Sequence, residues 1–219
     1  YPKTLYPIKG KEIISYILDS INKYDSEPTI IVSKEGKHPI QQFLEKKRIN
    51  AHLVVQENAK GMGDAVLHFD QSPIASKAKN ILLIWGDIPF IQKETIERMI
   101  HSHIMNKNTF TFVTRTVDYA YTIVKRDWQG KVLEVVETRE YEIDPRQGER
   151  DIGLFIFKKA EIMALLKKDL KGKYGKFTQE HGFLYIIKHL VQSGYIVEAL
   201  PIAQERELIS LNSLSDLNE

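Results

Sequence analysis

The sequence predicts an α/β fold in which a mixed, mostly parallel sheet is covered by helices on both faces. Three observations predict it. Continuous apolar runs of strand length recur along the chain, as strands buried on both faces do. Segments of helical period alternate with them, which is how βα units read. One pair of apolar runs around a tight turn breaks the alternation and reads as an inserted hairpin.

Taken in order, strands are predicted at 29–33, 52–56, 80–85, 110–116, 121–125, 132–137, 153–158 and 195–200. Ile13, Ile14, Ile17, Leu18 and Ile21 recur with helical spacing, as do Ile96, Met99, Ile100 and Ile104. Phe183, Ile186, Ile187, Leu190 and Val191 mark a later helix, and all three stripes are predicted core. The hairpin turns at Asp127-Trp128-Gln129-Gly130. Residues 138–150 are polar and charged and are predicted to be a long loop, of the length that usually carries function. There is no internal repeat or convincing linker, so 1–219 is read as one domain.

The 31 basic and 29 acidic side chains leave a net charge of +2, which provides no basic field for nucleic acid. Without cysteine there is no disulfide, thiol nucleophile or thiolate metal site. No run approaches the roughly 20 apolar residues that span a membrane. A cytoplasmic protein with neither nucleic-acid nor membrane partners is expected. The chain opens Tyr1-Pro2-Lys3 with neither an initiator methionine nor a secretory start, so its beginning is expected to be missing.

Three segments can carry chemistry. The strand 80–85 runs through Trp85 and Gly86 into Asp87 and is stopped by Pro89, which sets a carboxylate where the strand ends of an open α/β sheet face ligands. Read alone, Asp87 could equally cap the next turn. The strand end at Gln56 passes through Gly61 and Gly63 into a helix, whose free N–H groups suit an anion or a base edge. Most Gly-x-Gly turns are only tight connections. Lys3 stands between Pro2 and Pro7, rigidly enough to hold an ammonium against phosphate, although a solvated lysine is the commoner reading. His101 and His103 point apart on a helix and cannot share a metal.

In this order the segments Pro2-Lys3, Gln56, Gly61, Gly86-Asp87-Ile88-Pro89, Gly130-Lys131-Val132 through Val136-Glu137, Gly153, Glu180 and Leu211-Asn212 resemble the sugar nucleotidyltransferase family. They look like the uridylyltransferase half of the bacterial bifunctional N-acetylglucosamine-1-phosphate uridylyltransferases and its relatives, over nearly the whole chain. The resemblance implies a Rossmann-like, GT-A-like nucleotidyltransferase fold and a magnesium-dependent transfer of a nucleoside monophosphate from a triphosphate to a phosphorylated sugar. By that resemblance Asp87 and Asn212 would hold magnesium, Lys3 would contact phosphate, and Gln56 with the Gly61 backbone would read the uracil edge. Trp85 would also line the nucleotide site. Glu137, Thr122 and Asp151 would lie on the sugar side.

The departures are as informative. The family's first strand and glycine-rich loop are not in the sequence, and they form the main backbone cradle for a triphosphate. Thr122 takes the position of the hairpin glycine, and Asp151 that of an asparagine. An acidic Asp151 is expected to repel an acceptor phosphate or to demand a different hydrogen bond. The late helix keeps Glu180 without the family's paired tyrosines. A transferase for another phosphorylated acceptor, such as phosphocholine, a polyol phosphate or a molybdenum cofactor precursor, is the nearest rival. A nucleotide-binding module without turnover is the rival from another class.

Overall fold

A computed structural model of the chain describes residues 1–211. After a short 3₁₀ turn at Lys3–Leu5, β1 (Pro7–Ile8) and β2 (Lys11–Glu12) make a small hairpin. There follow α1 (Ile13–Ile21), β3 (Thr29–Ser33), α2 (Lys34–Lys47), β4 (His52–Gln56), α3 (Met62–Gln71), β5 (Asn80–Ile84) and α4 (Lys93–Met105). The second half holds β6 (Phe110–Ala120), β7 (Thr122–Arg126), β8 (Val132–Glu137), β9 (Arg146–Lys158), α5 (Lys159–Leu166), α6 (Ile186–Gln192) and β10 (Val197–Leu200).

The α/β class and the inserted hairpin are as expected. The largest sheet has the order β10-β6-β9-β5, and it is mixed because β9 enters between β6 and β5 against both. Parallel pairing is found in β10 with β6 and in the separate pair β3 with β4. The hairpin is β7 against β8.

Alternation of side chains along β6 and β9 builds the core. Phe110 and Phe112 on one strand meet Phe155 and Phe157 on the other, and Phe183 closes the group; all five are fully buried or nearly so. Phe110 and Phe157 are register partners and stack with ring centroids 5.7 Å apart. The opposite face sets Val113, Ile152 and Leu154 against Ile96 and Met99 of α4, so the sheet is covered on both sides. A third cluster, Ile14, Leu18, Val32, Ile40, Phe43 and Leu44, binds α1 and α2 to the β3–β4 pair.

Several expectations are corrected. Ile104 is 61% exposed, because the apolar stripe of α4 has turned away from the sheet in its last turn. The last strand begins at Val197, and Tyr195 and Ile196 before it are exposed. The expected loop 138–150 is only partly a loop: its second half is β9, paired with β6 through Arg115↔Arg150 and Thr116↔Glu149. Its polarity hid it, since Glu149 turns inward to Arg126 (2.6 Å) and Thr114. Helix α2 carries a polar surface and an internal Pro39. It starts where Ser33 Oγ accepts from Gly36 N and stops at left-handed Arg48.

One feature of the topology bears on function. Among the described residues, β3 pairs only with β4, and β5 pairs only with β9. Their free sides face a common cavity of about 1040 Å³, lined by Ile30 and Val32 from one strand, Ile81 and Leu83 from the other, and Leu18 and Val66 from the flanking helices.

Candidate active site

The cavity opens at the carboxyl ends of the strands, where Lys3, Gln56, Gly61, Trp85 and Gly86 line it. Asp87 lies just past the end of β5. Its Oδ2 is 3.4 Å from Lys3 Nζ and accepts from Ser210 Oγ at 3.1 Å. The backbone is tied too, for Leu211 N donates to the Asp87 carbonyl at 2.9 Å. Lys3 and Asp87 are thereby brought together, and the residue before Asn212 is fastened to the same aspartate. Asn212 itself lies outside the described residues. Gly86 admits the N-terminal turn, because a Cβ there would stand 3.3 Å from Thr4 Cγ2.

Gln56 ends β4, and its Nε2 donates to the Gly61 carbonyl (3.2 Å) and to Asp64 Oδ2 (2.7 Å). Gly61 caps α3 at φ +100. The reason for the Gly-x-Gly pair is the segment at 180–182 that crosses it. Gly63 N donates to the His181 carbonyl at 3.0 Å, and His181 N donates to the Lys60 carbonyl at 2.6 Å. A Cβ at Gly61 would lie 2.5 Å from the His181 oxygen, and one at Gly63 would lie 2.2 Å from the Gly182 oxygen. The His181 ring is buried against this turn, and burial pulls its pKa down. Trp85 packs on Gly153, which is at φ +81, and its Nε1 is buried without a hydrogen bond among the described residues.

The residues expected on the sugar side also converge. Thr122 and Glu137 are register partners across the hairpin, and Thr122 Oγ1 donates to Asp151 Oδ1 at 2.6 Å. Asp151 Oδ2 accepts from Gly153 N at 3.0 Å. Asp151 is 0% exposed and Thr122 is 2% exposed, so both stand behind the surface. Burial pushes the Asp151 carboxyl up, against these hydrogen bonds. Of the two outcomes expected for an acidic residue here, the structure has the different hydrogen bond: both Asp151 oxygens are occupied inside, by Thr122 and Gly153. Glu137 remains partly exposed. Burial raises its pKa, Arg139 opposes the rise, and Asp151, Glu140 and Glu180 add to it.

Sequence reasoning missed four contributors. Asp64 and Ser210 touch Gln56 and Asp87, and no spacing rule singles them out. Arg150 lies over the Tyr121 ring, 4.2 Å from its centroid, and donates through Nη2 to the Leu208 carbonyl at 3.2 Å. Burial, with Asp151 nearby, pushes the Tyr121 hydroxyl up to about 12. Among the described residues no three His, Cys, Asp or Glu side chains cluster around one point, and no helix is long and apolar enough to cross a membrane.

Charged and amide groups gather at strand ends with a glycine-lined helix start beside them, an arrangement that suits an anionic ligand in an α/β domain. The chain belongs to the family of the MobA-like NTP transferase domain, whose model matches residues 1–152. It is 29% identical over 222 residues to the bifunctional protein GlmU of Thermodesulfovibrio yellowstonii, covering 99% of this chain and 47% of the relative. The GlmU protein of Caldicellulosiruptor saccharolyticus is 26% identical over 222 residues, covering 99% and 46%. That of Acholeplasma laidlawii is 29% identical over 181 residues, covering 79% and 38%. The chain thus spans about half the length, or less, of these curated relatives, and its domain is a nucleotidyltransferase domain.

Proposed function

We propose that the domain transfers UMP from UTP to a sugar 1-phosphate, with N-acetylglucosamine 1-phosphate one candidate, in a magnesium-dependent reaction. The observation that carries the reading is the Lys3, Asp87 and Ser210 contact at the mouth of the cavity, with the Gln56 and Gly61 pair lining the same opening. The donor set fits magnesium. Asp87 Oδ1 has no hydrogen bond among the described residues, and Asn212 would add an amide oxygen. Magnesium is commonly held by one or two carboxylates, with substrate phosphates and water completing the shell. When bound, it would offset charge on the triphosphate.

In the transfer, an oxygen of the acceptor phosphate forms a bond to the α-phosphorus of UTP, and the bond from that phosphorus to the bridging oxygen breaks to release pyrophosphate. The chain's residues align the reactants and spread charge; none needs to form a covalent intermediate. Lys3, which pairs with Asp87, would contact the phosphates of the triphosphate. Glu137 offers an oxygen to a sugar hydroxyl, with Thr122 and Asp151 behind it as support.

The same reading takes residues 1–219 as one nucleotidyltransferase domain. Burial of Thr122 and Asp151 also keeps a second reading open, in which the acceptor is another phosphorylated molecule. The experiment is a transfer assay on the full-length protein with labelled UTP, magnesium and a panel of sugar, polyol and choline phosphates. Pyrophosphate release with sugar phosphates alone supports the reading. Release only with the others moves it to the rival acceptors, and no release with any leaves a binding module.

A further inference from the structure

The edge that Gln56 presents to a ligand is decided by its neighbours. Its Nε2 sits 3.2 Å from the Gly61 carbonyl and 2.7 Å from Asp64 Oδ2. A carbonyl and a carboxylate only accept, so the nitrogen of the amide must be the atom that faces them. The twofold ambiguity of a side-chain amide, which contacts to other groups would leave open, is thereby removed. Both hydrogens of Nε2 are then occupied. Oε1 has no hydrogen bond among the described residues, and neither does the Gly61 N–H. From the next turn of α3, His68 Nδ1 lies 2.9 Å from the Asp64 carbonyl and 3.4 Å from the same carboxylate oxygen.

We propose that Asp64 is a positioning residue that locks the Gln56 amide, so that Oε1 and the Gly61 N–H present an acceptor beside a donor to the base. That pair is complementary to a lactam edge. Uracil and guanine both offer a ring N–H next to a carbonyl. Cytosine and adenine offer a ring nitrogen acceptor next to an amine, so acceptor would meet acceptor and donor would meet donor. The inference rests on the reading of Gln56 as a base contact, but not on uridine, because the edge does not choose between pyrimidine and purine.

The test is calorimetric binding of UTP, GTP, CTP and ATP, each with magnesium, to the full-length protein and to its Asp64→Asn and Asp64→Glu variants. The Gln56 side-chain amide is followed by NMR in parallel. In the wild type, UTP, GTP or both should bind at least about tenfold more tightly than CTP and ATP, the margin expected when a buried polar edge is left unpaired. Asp64→Asn can offer either face of its own amide, so that margin should shrink severalfold and the Gln56 amide resonances should move. Asp64→Glu keeps an acceptor-only group and should retain most of the margin, which separates loss of the lock from loss of folding. GTP bound as well as UTP, with CTP and ATP rejected, would overturn the uridine reading and still support the lock. A margin and amide resonances unchanged in Asp64→Asn would overturn the lock alone. A wild type that does not distinguish the two kinds of edge would overturn both.

Discussion

The Lys3 ammonium lies 3.4 Å from Asp87 Oδ2, joining residues 84 positions apart in the chain. The lysine side chain is 47% exposed and the aspartate 16%. An ion pair with so exposed a partner contributes little to stability, so its position at the cavity mouth matters more for ligands than for folding.

Asp87→Asn tests this directly. The amide keeps an oxygen for Ser210 Oγ, so the unfolding midpoint should stay near that of the wild type. Loss of the formal charge should lower the transfer rate by roughly a hundredfold, the size of one lost transition-state electrostatic contact. A stopped assay at limiting magnesium that gives equal rates for variant and wild type would remove Asp87 from the reaction.

Lys3→Ala separates phosphate contact from a solvated surface role. The side chain reaches Asp87 from a 3₁₀ turn whose buried residue is Leu5, so folding should be unaffected. Affinity for magnesium triphosphate should fall, and the loss should lessen as salt rises, since exposed charge pairs are screened. Equal calorimetric affinities at low salt would reject the contact.

Much of the fold was legible because a continuous apolar run such as that starting at Phe110 reads as a strand buried on both faces. Asp87, Gln56 and Gly61 could be singled out as candidates because strand ends and paired glycines leave a local trace. The orientation of the Gln56 amide could not be found, since it depends on a carbonyl 5 and a carboxylate 8 residues on, brought back by the turn into α3. The Thr122 hydroxyl that makes Asp151 an internal brace stands 29 positions away, so the burial of that carboxylate left no local trace either. The polar half of β9 and the polar helix α2 were hidden because tertiary pairing, not hydrophobicity, sets their structure.

Glu137 should show a trade between stability and binding. Its folded pKa is raised by burial, so the folded state binds the proton more tightly than the unfolded state does. Ionisation therefore costs stability, and the cost appears as pH rises above the ordinary value of 4.5. Glu137→Gln removes the charge, so its unfolding midpoint should match the wild type near pH 4 and exceed it at pH 7 to 8, about where the wild-type cost is fully developed. Sugar phosphate binding should weaken at the same time. A midpoint lower than wild type at pH 8 would contradict the buried-charge argument.

Gly61→Ala should damage folding and nucleotide binding together. At φ +100 and ψ 176 the backbone occupies a region essentially reserved for glycine. The added Cβ would stand 2.5 Å from the His181 carbonyl and 2.9 Å from Glu180 Cβ, and the first of these is backbone that cannot swing aside. Strain of this kind costs about 1 to 3 kcal/mol, which for a domain of this size lowers the midpoint by roughly 2 to 12 °C. Relief would come from pushing the 180–182 segment off the start of α3, breaking the Gly63 N bond to the His181 carbonyl. The Gly61 carbonyl that holds Gln56 would shift with it, so nucleotide affinity should fall even at temperatures where the variant is folded. Gly10→Ala is the control, because Gly10 also has positive φ but nothing lies within 4 Å of its Cβ position. It should lose stability from backbone strain alone and keep nucleotide affinity. Equal losses of affinity in the two variants would detach Gly61 from the nucleotide site.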